Sequence, residues 1–154
     1  DFNVGGIYRH INNPYINKLI LNQRKKSIAS NDSFYTPKGK KSAKDILDGI
    51  KKNSSIVLLI DQKDSAGEDV VFFNSVTKTQ TGFLKIAKKH KMQIIPVQNT
   101  RNNLNNFTLK FYPPLKPFKN HLTDKQAMEE IHTIIEEWIK EDPSHYFLQH
   151  NRFN

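Results

Sequence analysis

The chain has 154 residues, the length of one domain, and no cysteine, which excludes disulfide bonds and thiolate metal sites. Its 36% hydrophobic and 10% aromatic content is typical of a folded chain rather than a disordered one. The formal net charge of +9 favours polyanionic partners, which include nucleic acid, anionic lipid headgroups and acidic proteins. No stretch reaches the roughly 20 apolar residues of a membrane span.

The first third of the chain predicts a strand and two helices. Residues 2–8 are apolar and β-prone, with a glycine pair that allows close approach to the backbone. Residues 15–25 repeat apolar side chains at helical spacing, and cations follow in the last turn, where they suit the helix dipole. A second helical pattern covers residues 42–52, and Ser42 is expected to cap it.

An apolar run at residues 56–60 predicts a buried strand that stops abruptly at Asp61 and Gln62. A polar loop is expected over residues 61–69, after which a short apolar run begins. In open α/β sheets, ligands bind at the carboxyl ends of the strands. Asp61 is therefore the best candidate for chemistry, although a strand-end aspartate also commonly caps a turn.

The remaining pattern predicts a helix over residues 82–91, strands over 92–97 and 107–112, and a long amphipathic helix over 124–140 that Thr123 caps. The asparagine-rich turn at residues 99–106 between the two strands suggests a hairpin or edge pairing. The order of elements predicts an α/β fold with a mixed, mostly parallel central sheet flanked by helices. We expect residues 1–154 to be a single domain.

Two arginines are the candidate anion contacts, because guanidinium groups match the geometry of phosphate and carboxylate. Arg9 follows the first predicted strand, and Arg24 ends the first predicted helix. Taken alone, each residue is better interpreted as an exposed basic side chain at the end of a strand or helix. The sequence has no metal-ligand spacing, phosphate loop or nucleic-acid motif, so we predict no metal, no cofactor and no nucleic-acid partner.

His132 and Glu137 have the H-x4-E spacing that places a general base beside a carboxylate in some acyltransferases. Here the pair falls inside the last predicted helix. Residues five apart on a helix are about 140° out of register, so their side chains should diverge. We therefore interpret this spacing as accidental.

Several blocks together resemble the later part of the lipid A biosynthesis acyltransferases, the lauroyl and myristoyl transferases of Gram-negative bacteria. They are GGIYRHINNPYINKLILNQR, LLIDQKDSAGEDVVFFNSVTKTQTGFLKIAKKHKMQIIPV with the later Arg101, YPPL, and EDPSHYFLQHNRF. The terminal Pro-x-x-Tyr-x-x-x-His-x-Arg-Phe pattern resembles the characteristic ending of the family. The resemblance covers nearly the whole chain.

The resemblance implies a glycerolipid-acyltransferase-like domain at the cytoplasmic face of the inner membrane. Such enzymes move a fatty acyl group from acyl carrier protein to a hydroxyl of a lipid A precursor. By motif matching, Arg24 corresponds to a functional arginine and Asp61 to a supporting aspartate of the family, whereas Arg9 and Gln62 are weaker candidates for substrate binding. The positive charge of the chain suits an anionic bilayer and an acidic carrier protein.

One part of the family pattern is missing from these residues. The catalytic histidine and its acidic partner, an H-x4-D/E motif, lie upstream of the Tyr-Arg block, so the general base should be absent from this chain. The sequence thus resembles the C-terminal part of an acyltransferase catalytic domain, inactive alone. The alternative is a non-catalytic basic module that binds anionic lipid or nucleic acid.

Overall fold

A computed structural model describes residues 3–9, 11–27, 32–115, 122–146 and 152–153. The chain divides into two compact units, residues 1–59 and residues 60–154. Among the described residues, no helix is both long enough and apolar enough to cross a bilayer.

The first unit is a parallel three-stranded sheet with two helices. Its strand order is β2-β1-β3, with β1 in the middle. The elements in chain order are β1 (Val4–Tyr8), α1 (Pro14–Lys26), β2 (Phe34–Pro37), α2 (Lys40–Lys51) and β3 (Ser55–Val57).

Local chemistry explains where these elements begin. Asn13 caps α1, since its side chain accepts hydrogen bonds from the backbone N–H groups of Tyr15 and Ile16 at 3.0 and 3.3 Å. The expected cap of α2 is wrong, because the helix starts directly after Gly39, which has a φ of 145°. The Ser42 hydroxyl instead donates to the Gly39 carbonyl at 2.6 Å.

The expected buried strand before Asp61 is largely wrong. β3 ends at Val57, and its side chains are half-buried or exposed rather than enclosed. Leu59, inside the apolar run, is 76% exposed. The reason is position in the sheet, because β3 pairs only with β1 and forms an edge of the three strands.

The described residues of the second unit form two antiparallel hairpins and two α-helices. Its elements in chain order are β4 (Lys63–Phe72), β5 (Ser75–Thr79), α3 (Gly82–His90), β6 (Val97–Arg101), β7 (Phe107–Phe111), α4 (Asp124–Glu141) and a short 3-10 helix (Pro143–His145). Strand β4 pairs with β5, and β6 pairs with β7. The hairpin at the asparagine-rich stretch is thus confirmed.

The core of the second unit lies between α4, α3 and the β4–β5 hairpin. Its fully buried members are Val70, Leu84, Ala127, Met128 and Ile131. Helix α4 begins as expected at Thr123, whose hydroxyl accepts from the Gln126 N–H at 3.2 Å in a capping box.

Two other expectations in this unit are wrong. The polar segment 61–69 is not a loop, because β4 is a ten-residue strand that starts at Lys63 and contains a register shift between Lys63 and Glu68. The apolar segment 92–97 is not a strand, since β6 starts only at Val97. The α/β class with mixed strand directions is confirmed, although the strands lie in three separate sheets and only the three-stranded sheet is parallel.

Candidate functional site

The first unit brings both candidate arginines to the carboxyl end of β1. Arg9 directly follows Tyr8, the last residue of that strand. The guanidinium carbon of Arg24, in the last turn of α1, lies 5.7 Å from the centre of the Tyr8 ring. Both arginine side chains are exposed, so their donors can reach a ligand.

Lys38 joins the same end of the sheet. Its backbone N–H donates to the Tyr8 carbonyl at 2.8 Å, directly after β2 ends at Pro37. We call Arg9, Arg24 and Lys38 the cationic edge. Parallel strands deliver their carboxyl ends to one edge of a sheet, where ligands of α/β proteins bind, and three cations there suit a phosphate or carboxylate.

Asp61 and Gln62 lie at the start of the second unit, just before β4. Asp61 is half-buried, whereas Gln62 is exposed. The pKa of the Tyr146 hydroxyl is raised by burial. The negative charge of Asp61 raises this pKa further. Asp61 therefore belongs to an electrostatic cluster of the second unit.

Arg152 is the buried centre of that cluster and is only 3% exposed. Its Nη1 donates to the Lys78 carbonyl at 2.9 Å, and its Nη2 donates to the Thr79 hydroxyl at 2.6 Å. The guanidinium carbon lies 5.4 Å from the centre of the Phe72 ring. Burial lowers the pKa of Arg152, while the acidic groups of Tyr146 and Asp61 oppose that change.

Arg152 binds the part of β5 that pairs with the irregular region of β4, which begins shortly after Asp61. Thr79 is opposite both Lys63 and Glu68, the two residues that flank the register shift in β4. Arg152 therefore binds the part of β5 that pairs with the start of β4, two residues after Asp61. We call Asp61, Phe72, Tyr146 and Arg152 the buried arginine cluster.

His132 contacts the same cluster through the Phe72 ring, at 4.7 Å between ring centres. It is 1% exposed, and its Nδ1 lies 2.7 Å from the Val71 carbonyl, to which it can donate. Its Nε2 is buried without a partner among the described residues. Burial lowers the pKa of His132, so the ring is held neutral.

The expected divergence of His132 and Glu137 is confirmed. The histidine points into the core against Val71, whereas Glu137 is exposed on the outer face of α4. A general base needs its nitrogen within reach of the substrate proton, and this ring is enclosed.

The structure therefore places the predicted residues in two groups. Arg9 and Arg24 share the cationic edge of the first unit, while Asp61 and Gln62 belong to the second unit. The sequence interpretation missed Lys38, Tyr146 and Arg152. The terminal Pro-x-x-Tyr-x-x-x-His-x-Arg-Phe pattern was the signal in the sequence that could have indicated Tyr146 and Arg152. Nowhere in the described residues do three or more histidine or acidic side chains gather as a metal site requires.

These features define an α/β protein with a basic edge suited to an anionic ligand. The chain belongs to the bacterial lipid A biosynthesis acyltransferase family, whose model matches residues 2–154. The family resemblance carried by the sequence blocks is thus confirmed, and the protein is of the lipid A acyltransferase type. No curated protein matches the chain in sequence.

Proposed function

We propose that this chain is part of an enzyme that moves a fatty acyl group from acyl carrier protein to a hydroxyl of a lipid A precursor. The family match over residues 2–154 carries the proposal. We place the enzyme at the cytoplasmic face of the inner membrane, where both substrates meet. Residues 1–154 then form the C-terminal part of one acyltransferase catalytic domain.

The cationic edge is the proposed contact for the phosphates of the acceptor. Arg24 supplies a planar fork of donors, and its position over the Tyr8 ring orients the guanidinium without enclosing it. Arg9 is the second contact from the same end of β1. The net charge of +9 supports attraction of an acidic carrier protein and an anionic membrane.

Asp61 has a supporting role in this proposal, with Gln62 as a weaker substrate contact. Asp61 is half-buried, and its charge raises the pKa values of Tyr146 and Arg152, which supports a place for it beside these two side chains. A carboxylate held in this way can orient a hydroxyl of the acceptor by accepting its hydrogen bond.

We place the general base outside residues 1–154. His132 has the only H-x4-D/E spacing in the sequence, and it is buried against the Val71 carbonyl. Without a base to remove the proton of the acceptor hydroxyl, attack on the thioester is slow. The chain alone should therefore show no acyl transfer.

The test compares variants in the full-length protein, with acylated carrier protein and a lipid A precursor as substrates. Arg24→Ala should lower transfer by about 100-fold or more, since misplacement of a substrate costs that much. Asp61→Ala should also lower transfer strongly. Lys25→Ala removes the same charge from the neighbouring position of α1 and is the matched control, which should stay within about twofold because exposed single charges contribute little.

Wild-type transfer by both Arg24→Ala and Asp61→Ala would refute the two assignments. Transfer by the 154-residue chain that disappears in His132→Gln would refute the placement of the base. A full-length protein that binds anionic vesicles and never transfers an acyl group would instead favour the non-catalytic basic module.

A further inference from the structure

The β6–β7 hairpin has an apolar face that the other described residues of the second unit leave exposed. Residues directly opposite in an antiparallel pair lie on the same face of the hairpin. Val97 is opposite Phe111, Asn99 is opposite Leu109, and Arg101 is opposite Phe107. The apolar members are 42%, 69%, 60% and 55% exposed for Val97, Phe111, Leu109 and Phe107, respectively. We call these four residues the hairpin face.

The opposite side of the same hairpin is polar. It carries Gln98, Thr100, Thr108 and Lys110, which are paired across the strands. The Tyr112 hydroxyl donates to Gln98 at 2.6 Å on this side, and Tyr112 stacks on Trp138 of α4 with ring centres 4.9 Å apart. The contacts of Tyr112 attach the base of the hairpin to α4. The apolar side chains of the other side are exposed, as are the polar Thr108 and Lys110 on this side.

Charge identifies the kind of surface that this face fits. Residues 92–115 contain no acidic side chain, and their only charged residues are Arg101 and Lys110. Arg101 lies beside the hairpin face, with its guanidinium carbon 5.1 Å from the centre of the Phe107 ring. An apolar surface bordered by a cation is complementary to an anionic bilayer. Its aromatic side chains can enter the boundary between headgroups and acyl chains, while the cation binds lipid phosphates.

We propose that the hairpin face lies flat in the headgroup region of an anionic lipid bilayer, with Arg101 on the lipid phosphates. This inference rests on the proposed membrane location and adds the element that makes the contact. The depth is limited to the interface because the edges of the two strands carry backbone groups that need water or headgroups as partners. The turn adds Leu104, which is 84% exposed, as a further apolar contact.

The test uses the absence of cysteine from the chain. Leu109→Cys and Thr108→Cys place one thiol on each side of the hairpin at neighbouring positions, and each is labelled with a polarity-sensitive fluorophore. With vesicles of phosphatidylethanolamine and phosphatidylglycerol, the label at position 109 should shift to the blue while the label at position 108 stays unchanged. Vesicles of phosphatidylcholine alone should give a smaller shift.

Vesicle sedimentation gives the magnitudes. Leu109→Ser should weaken binding by about tenfold or more, the value expected for one buried leucine. Val76→Ser removes an exposed apolar side chain from β5 and should change binding by less than about twofold. Arg101→Gln should cost about fivefold, the usual contribution of one basic residue near an anionic membrane, and more than Lys110→Gln.

The outcomes separate the inference from the proposed function. If the native chain does not bind anionic vesicles, the hairpin inference is wrong, whereas the proposed function is judged separately by acyl transfer in the full-length protein. If it binds and Leu109→Ser binds equally well, only the hairpin inference is wrong. A label at position 109 that is blue-shifted without lipid, or that responds to acyl carrier protein and not to vesicles, would show that protein covers this face and would overturn the inference. A loss of folding stability in Leu109→Ser would also overturn the inference, because it would show that Leu109 packs against protein.

Discussion

Arg24 and Arg152 lie over aromatic rings at almost the same distance, 5.7 Å from Tyr8 and 5.4 Å from Phe72, yet their surroundings are opposite. Arg24 is exposed at the end of a helix that has no buried residues. Arg152 is buried and donates two hydrogen bonds to the β4–β5 hairpin. A contact with an aromatic ring alone therefore does not distinguish an exposed arginine, which we propose binds a ligand, from a buried one that stabilises the fold.

The difference lies in what the donors of each guanidinium face. The two Nη atoms of Arg152 are occupied by the protein, so this side chain stabilises the second unit and leaves little for a ligand. The guanidinium group of Arg24 is exposed to solvent at the cationic edge. Substitutions should therefore separate stability from activity in the two regions.

The largest effect on stability is expected at Arg152. Arg152→Ala should lower the free energy of unfolding by about 2–4 kcal/mol, because two charge-assisted hydrogen bonds are lost and the buried Thr79 hydroxyl keeps only its 3.4 Å contact with the Thr77 hydroxyl. Arg24→Ala should change it by less than about 0.5 kcal/mol, as for other exposed residues. Urea unfolding followed by circular dichroism measures both, and equal destabilisation by the two variants would contradict the contrast.

A smaller loss is expected at Gly67, which lies against the residue that Arg152 holds. A Cβ at Gly67 would overlap the Thr79 backbone, so Gly67→Ala should destabilise the chain by about 1–3 kcal/mol through overpacking. Gly82→Ala is the control, since its Cβ would meet only the flexible Gln80 side chain. Thermal unfolding of the two variants checks this, and the contrast is refuted if Gly82→Ala loses as much stability as Gly67→Ala.

The smallest effect concerns pH and the buried ring of His132. Burial lowers its pKa below the ordinary value of 6.5, so the unfolded chain binds more protons than the folded chain in acid. Stability from this group is present above about pH 6.5 and falls as the pH drops towards the folded pKa, by at most about 1.4 kcal/mol per pH unit. His132→Gln should flatten that part of the pH profile of unfolding. An unchanged slope would show that His132 does not titrate there.

Much of the fold could be predicted from local patterns. Periodicity placed all four helices within a few residues, and the capping box at Thr123 fixed the start of α4. The two wrong strand predictions share one cause, which is that an apolar run of five or six residues does not show which side of the chain is covered. Residues 56–60 and 92–97 were both expected to be strands, but pairing partners exist for only part of each segment.

The candidate site divides in the same way. Arg9, Arg24, Asp61 and Gln62 were found by residue type and by the family blocks, because charge and motif spacing are visible in the sequence. Arg152 could not be found from its neighbours, since its partners Lys78 and Thr79 are more than 70 positions away. The amino-acid sequence around an arginine does not show whether its side chain is buried or exposed.

The sequence by itself determined the family, the helices and the positive charge, because these depend on residue identity and local spacing. Only the tertiary structure decided that Arg9 and Arg24 are exposed at the end of β1 and that Arg152 is enclosed beside Phe72. It also decided that His132 is a core residue and that the apolar side of the β6–β7 hairpin faces outward. Burial and strand pairing join residues far apart along the chain, so no local pattern specifies them.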